Sequence, residues 1–249
     1  PPIGTILPGL GGAGKTSILR AGASVFGATG DASSNQAGGL IGNGDATTMA
    51  LLGQFMAMSD LPHFVDELKV SSDPRGRAEL ERTLHTLVDG AERARMRRDS
   101  KGTIGGRTSP GCAVVATETD VSEFLSKGGV IRRFLPIRGP YTTGVPLGSF
   151  KDVLVSNYGH AGRALLEALV ASTTAERVEL AKQHGVELEA IRNAMSPAKQ
   201  QDETIRTWSS QLATALAAVS VATKLCPLAL PDFGLWRAQI IACWQAVQM

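Results

Sequence analysis

Eight residues near the start of the chain, Gly9-Leu10-Gly11-Gly12-Ala13-Gly14-Lys15-Thr16, set four glycines at fixed spacing before a lysine and a hydroxyl. Glycines let successive backbone N–H groups turn inward around one anion, and a helix that follows presents its positive end to the same charge. Lys15 is then placed to reach the β and γ phosphates of a nucleotide, and Thr16 to offer its hydroxyl to Mg²⁺. The context agrees. Residues 3–7 are a short apolar stretch ending at Pro8-Gly9, and residues 15–26 carry apolar side chains at helical spacing. A glycine-rich turn capped by Lys-Thr would share the composition but not this strand, loop and helix order. The expected nucleotide contacts are Gly9, Gly11, Gly12, Ala13, Gly14, Lys15, Thr16 and Ser17.

Hydrolysis of a Mg-nucleotide also needs a carboxylate for the metal's water shell and a base that orients the attacking water. Asp66 and Glu67 end the compact apolar run of residues 61–65 and supply both. The metal set is therefore Thr16 and Asp66, with Glu67 as base. A glutamate directly after the aspartate points to the ATPase branch that holds RecA-like and AAA+ motors, so ATP is the expected nucleotide. Thr117 ends the next apolar strand, where a hydroxyl can polarise the attacking water or touch the γ-phosphate, as sensor 1 does in such ATPases; it can also be a plain strand-ending threonine. Arg132 and Arg133 fall on an expected strand, where neighbouring side chains face opposite sides, so at most one can reach a neighbouring subunit's ATP. Arg133 is favoured for that catalytic role. Arg163 opens a helix in the C-terminal part and is placed like a sensor 2 arginine, or like any helix-start arginine.

Arg93, Arg95, Arg97, Arg98, Lys101 and Arg107 form the one dense basic segment, with little opposing acid. It is either a solvated charge run or, as in ring-forming helicases, a hairpin whose cations track a phosphate backbone. The four histidines show no metal spacing.

These groups need a scaffold. Apolar runs at 3–7, 61–65 and 112–116 predict strands buried on both faces, and residues 47–58, 77–90 and 121–127 predict helices between them. Residues 130–137 read as a further strand. Beyond residue 150 nearly everything is helical, over 152–172, 175–195, 203–224 and 235–247. The expected fold is therefore an α/β P-loop NTPase with a mostly parallel sheet flanked by helices, spanning 1–149, followed by a helical lid or C-terminal subdomain over 150–249. Pro1 followed so closely by the loop predicts a fragment of a longer protein with further sequence upstream.

Composition narrows the classes. A formal net charge of +2 over 249 residues makes no case for nucleic acid by itself. Three widely spaced cysteines read as buried thiols of a reducing compartment rather than a disulfide or zinc framework. No apolar run is long enough to span a bilayer and the N-terminus carries no signal-peptide pattern, so a cytoplasmic protein without membrane contact is expected.

With these residues in place the chain resembles the ATPase domain of Cch-like replicative helicases, found in mobile genetic elements, prophages and pathogenicity islands. The likeness rests on Gly14-Lys15-Thr16 with Ala23-Ser24-Val25-Phe26-Gly27, on Ala46-Thr47, and on Val65-Asp66-Glu67-Leu68. It continues through the arginines of 90–99, Ala116-Thr117-Glu118, and Tyr158-Gly159-His160-Ala161-Gly162-Arg163. The chain departs from that family at Gly44-Asp45, where a tryptophan is usual, and at Thr117-Glu118, where Gly-Glu is frequent. The resemblance implies an AAA+-like or superfamily 3-like motor with ATP and Mg²⁺ as cofactors. It also implies a hexameric homo-oligomer that translocates on single-stranded or forked DNA during replication. The competing reading is a regulatory P-loop ATPase that recruits partners by nucleotide state and never moves along nucleic acid.

Overall fold

The computed structural model describes residues 4–29, 39–44, 46–58, 60–68, 73–89, 95–96, 103–104, 111–118, 130–139, 147–225 and 233–247. Two compact units divide it, Pro1–His160 and Ala161–Met249.

In the first unit, β1 (Gly4–Pro8), β2 (Ile41–Asn43), β3 (His63–Asp66), β6 (Ala113–Thr117) and β7 (Phe134–Pro136) form one sheet in the order β2-β3-β6-β1-β7. Every pairing in it is parallel. Parallel strands need helices on both faces, which is why these strands are near-continuous apolar runs. The alternation of successive side chains sorts them. Ile6, Val65 and Val115 join a core built with α2 (Thr48–Met58) and α3 (Pro74–Asp89), whereas Leu7, Phe64 and Ala116 join the core with Leu19 and Ala23 of α1 (Lys15–Phe26). Full burial of such a side chain stabilises the fold by roughly 1.5–3 kcal/mol.

Helix starts follow their caps. Thr47 Oγ1 accepts from the Ala50 N–H at 3.3 Å ahead of α2. Asp73 accepts from the N–H groups of Arg75 at 2.8 Å and Gly76 at 3.0 Å, and Pro74 takes the first position of α3. That cap starts α3 three residues earlier than apolar spacing alone predicts.

Two expectations are corrected. The strand read over 130–137 is instead a helical turn, α4 (Val130–Arg133), followed by the three residues of β7. Phe134 and Leu135 are the buried pair that the sheet edge accepts, and Pro136 is tolerated because β7 is an edge strand. Arg132 and Arg133 therefore stand about 100° apart on a turn rather than on opposite faces. The helix read over 152–172 is two helices, α5 (Leu147–Ser156) and α6 (His160–Ala171). Gly159 breaks them with φ 77, and its N–H donates to Ser24 O at 2.7 Å, tying the break to the end of α1.

Between α3 and β6, β4 (Arg95–Met96) and β5 (Thr103–Ile104) pair antiparallel, with Arg95 opposite Ile104. Arg93, Arg97, Arg98, Lys101 and Arg107 lie outside the described residues, as does the helix expected over 121–127.

The second unit holds α7 (Thr174–Asn193), α8 (Pro197–Gln201), α9 (Glu203–Leu225) and α10 (Phe233–Val247), with most of α6. Thr173 and Glu176 form a reciprocal capping box on α7, and these hydrogen bonds hold the Glu176 carboxyl below its usual range. Glu187 of α7 is buried. It accepts from Arg237 Nε of α10 at 2.6 Å and from Gln183 Nε2 at 2.9 Å, so the charge is paired and hydrogen-bonded. Among the described residues no helix is long and apolar enough to cross a membrane.

His63 opens β3 and is 1% exposed. Its ring lies edge-on to Phe55 at 6.0 Å, and neither ring nitrogen meets a hydrogen-bond partner among the described residues. Burial pushes its pKa from 6.5 down to about 4. A depressed histidine pKa leaves the unfolded chain holding the extra proton, so its contribution to stability is complete above pH 6.5 and is lost as pH falls towards 4. The expected loss over that window is about 3 kcal/mol. Denaturant titrations at several pH values should show this slope in the native protein and a shallower one in His63→Leu; equal slopes would contradict the assignment.

Candidate nucleotide site

The glycine-rich loop runs from the end of β1 into α1, as the spacing predicts. Gly12 (φ 79) and Gly14 (φ 91) adopt the left-handed conformation that a side chain resists, which turns the loop's backbone around one centre. A Cβ at Gly12 would meet nothing within 4 Å, so the loop is open on that side. Gly9 N–H donates to Thr117 O at 3.1 Å, fastening the loop to the end of β6. Lys15 is buried along its stem, and its ammonium donates to Gly9 O at 2.6 Å and Leu10 O at 2.8 Å. The charge is thereby held at the mouth of the loop. Ser17 is buried behind it, and Ala13 N–H donates to Leu10 O at 3.3 Å.

Fifty residues on, Asp66 reaches the same place. Thr16 Oγ1 donates to Asp66 Oδ1 at 3.2 Å, and Asp66 is 6% exposed. A hydroxyl and a carboxylate at the foot of an anion-binding loop suit Mg²⁺, which takes one or two protein oxygens and completes its shell with phosphates and water. Among the described residues no group of three or more His, Cys, Asp or Glu side chains could hold a metal alone.

The corner at Asp66-Glu67 is tightly built. Glu67 is the one described non-glycine residue with positive φ, at 55, a conformation that costs of order 1–3 kcal/mol and persists only where neighbours enforce it. Asp66 Oδ1 accepts from Glu67 N–H at 3.1 Å, Gly44 N–H donates to Asp66 O at 2.7 Å, and Leu68 N–H donates to Ala116 O at 2.9 Å. Gly44 must lack a side chain, because a Cβ there would fall 2.5 Å from the backbone of Glu67 and Leu68. The sequence presented Gly44 only as a departure from a family pattern, and no local signal marked it as a support of the acidic corner. The Glu67 side chain itself is exposed.

Thr117 is fully buried at the end of β6, between β1 and β3 in the sheet. Arg133 is paired with Asp89 at the end of α3, whose other oxygen lies 2.5 Å from His85 Nδ1. Arg163 is largely exposed and bonded to Glu167 at 2.8 Å; that pairing raises its pKa. It belongs to the second unit.

No family model matches the chain, and no curated protein matches its sequence. A solved structure described as "SCCmec type IV Cch - active helicase" superposes on it with a TM-score of 0.72 over 98% of this chain, at 15% identity. The chain has the fold of that helicase. It covers 42% of the Cch chain, so it corresponds to less than half of that protein. The likeness in fold agrees with the likeness in motifs, and the loop and acidic corner described above lie within the shared part.

Proposed function

We propose that the chain is the ATP-hydrolysing motor of a DNA helicase or translocase that serves the replication of a mobile element. The observation that carries this is the meeting of Thr16 and Asp66 at 3.2 Å beside a glycine loop, within a helicase fold. Lys15 and the loop amides bind the phosphates of ATP, with Gly9 to Ser17 as the cradle. Thr16 and Asp66 hold Mg²⁺, which neutralises charge on the β and γ oxygens. Glu67 orients the attacking water and takes its proton, and Thr117 senses the γ-phosphate.

The remaining roles extend that reading. Residues 1–149 act as the ATPase core, with 150–249 as a helical lid that carries Arg163 as its sensor 2 arginine. Copies of the chain form a hexameric ring in which Arg133 exchanges Asp89 for a neighbour's γ-phosphate. The basic segment, with Arg93, Arg95, Arg97, Arg98 and Lys101, tracks single-stranded DNA.

Substituting Arg95, Arg97 and Arg98 together by alanine is expected to weaken DNA binding and reduce its salt slope by about two to three ions, since fewer counterions are released per bound strand. Basal ATP turnover should survive. Filter-binding or anisotropy titrations over a range of salt concentrations measure this. Unaltered affinity and slope would favour a regulatory ATPase that recruits partners without translocating.

A further inference from the structure

Glu118 is the first residue after β6, and the bond from Gly9 N–H to Thr117 O delivers it to the side of the phosphate loop. It is exposed at the surface, yet its Oε1 lies 3.0 Å from the point a methyl group on Gly11 would occupy. Its carboxylate supplies the only atoms that methyl would meet within 4 Å among the described residues, apart from chain neighbours. Gly11 is not in the left-handed region, so its missing side chain answers to this contact and not to backbone conformation.

A carboxylate set against an anion-binding loop weakens the binding of phosphates unless it has another task. Two strand ends lie on one side of β1 and its loop, the adjacent β6 with Thr117-Glu118 and, next beyond it, β3 with Asp66-Glu67. Asp66 is engaged with Thr16, which leaves one carboxylate from each strand, Glu67 and Glu118, for the attacking water. A water molecule has two protons, and two acceptors hold both, so that a lone pair is left to face phosphorus.

Building on the reading of the loop as a Mg-ATP site, we propose that Glu118 is a second catalytic carboxylate. It accepts one hydrogen bond from the attacking water while Glu67 accepts the other and takes that proton. The water oxygen bonds to the γ-phosphorus, the bond from that phosphorus to the bridging oxygen breaks with its electron pair leaving on ADP, and the proton passes from Glu67 to the released phosphate.

The test uses the full chain with Glu118→Ala, Glu118→Gln, Gly11→Ala and the double variant of Gly11→Ala with Glu118→Ala. Single-turnover ATP hydrolysis and Mg-ATP binding are measured for each. Glu118→Ala is expected to slow hydrolysis by about 10- to 100-fold while affinity stays level or tightens, because a like charge has gone from beside the phosphates. Glu118→Gln keeps an acceptor oxygen and should recover part of the rate. Gly11→Ala crowds the carboxylate and should reproduce part of the loss, adding less in the Glu118→Ala background than in the native chain. Hydrolysis at the native rate in Glu118→Ala overturns the proposal, as does a loss of affinity in step with rate. Lys15→Ala separates the two failures: if it hydrolyses ATP normally the loop reading falls and takes this inference with it, whereas a dead Lys15→Ala beside a normal Glu118→Ala removes Glu118 alone.

Discussion

Lys15→Ala is expected to weaken Mg-ATP binding by roughly 10- to 100-fold, the effect of losing a charge-assisted contact of about 1.5–3 kcal/mol. The ammonium is held by the carbonyls of Gly9 and Leu10, so in the proposed site the charge that meets the β and γ phosphates is positioned before any ligand arrives. Alanine keeps the helix start and leaves Gly12 and Gly14 free to hold the loop's shape, so the substitution removes the charge and its two bonds to loop carbonyls while the N–H cradle survives. Titration calorimetry on the native and substituted chains measures the change, with thermal unfolding as a check that both are folded. Undiminished affinity in Lys15→Ala would end the phosphate-loop reading.

The parts of this site visible in the sequence are those that backbone chemistry fixes over a short distance. Gly12 and Gly14 are required by positive φ, Lys15 and Thr16 by their place at a helix start, and Asp66 by its position at the end of a buried strand. Each is legible because few residue types serve there. The sheet was legible for the same reason, since Ile6-Leu7, Phe64-Val65 and Val115-Ala116 are apolar on both faces and parallel strands between helices demand that.

What escaped the sequence depends on partners distant along the chain. Gly44 matters because the Glu67 backbone passes within reach of its missing side chain, and the approach of Glu118 to Gly11 is likewise a contact between distant parts of the chain. The break at Gly159 is fixed by the carbonyl of Ser24, which helical periodicity through 152–172 cannot foresee. Residues 130–133 coil into a helical turn although their apolar start reads as strand, and Arg133 leaves the sheet to meet Asp89. Periodicity reports what a segment prefers by itself, and in these places tertiary context overrides it.

The claim on which the rest depends is that the corner at Asp66-Glu67 performs hydrolysis on a nucleotide held by the loop. Glu67→Gln preserves the shape of the side chain and the strained backbone at φ 55, but removes the group that can take a proton. Binding and turnover measured on that one protein test the claim most directly. Mg-ATP affinity is expected within about threefold of the native chain, together with turnover reduced by about 10²- to 10⁴-fold. Native affinity with native turnover would contradict it, because the chemistry would then belong to some other group.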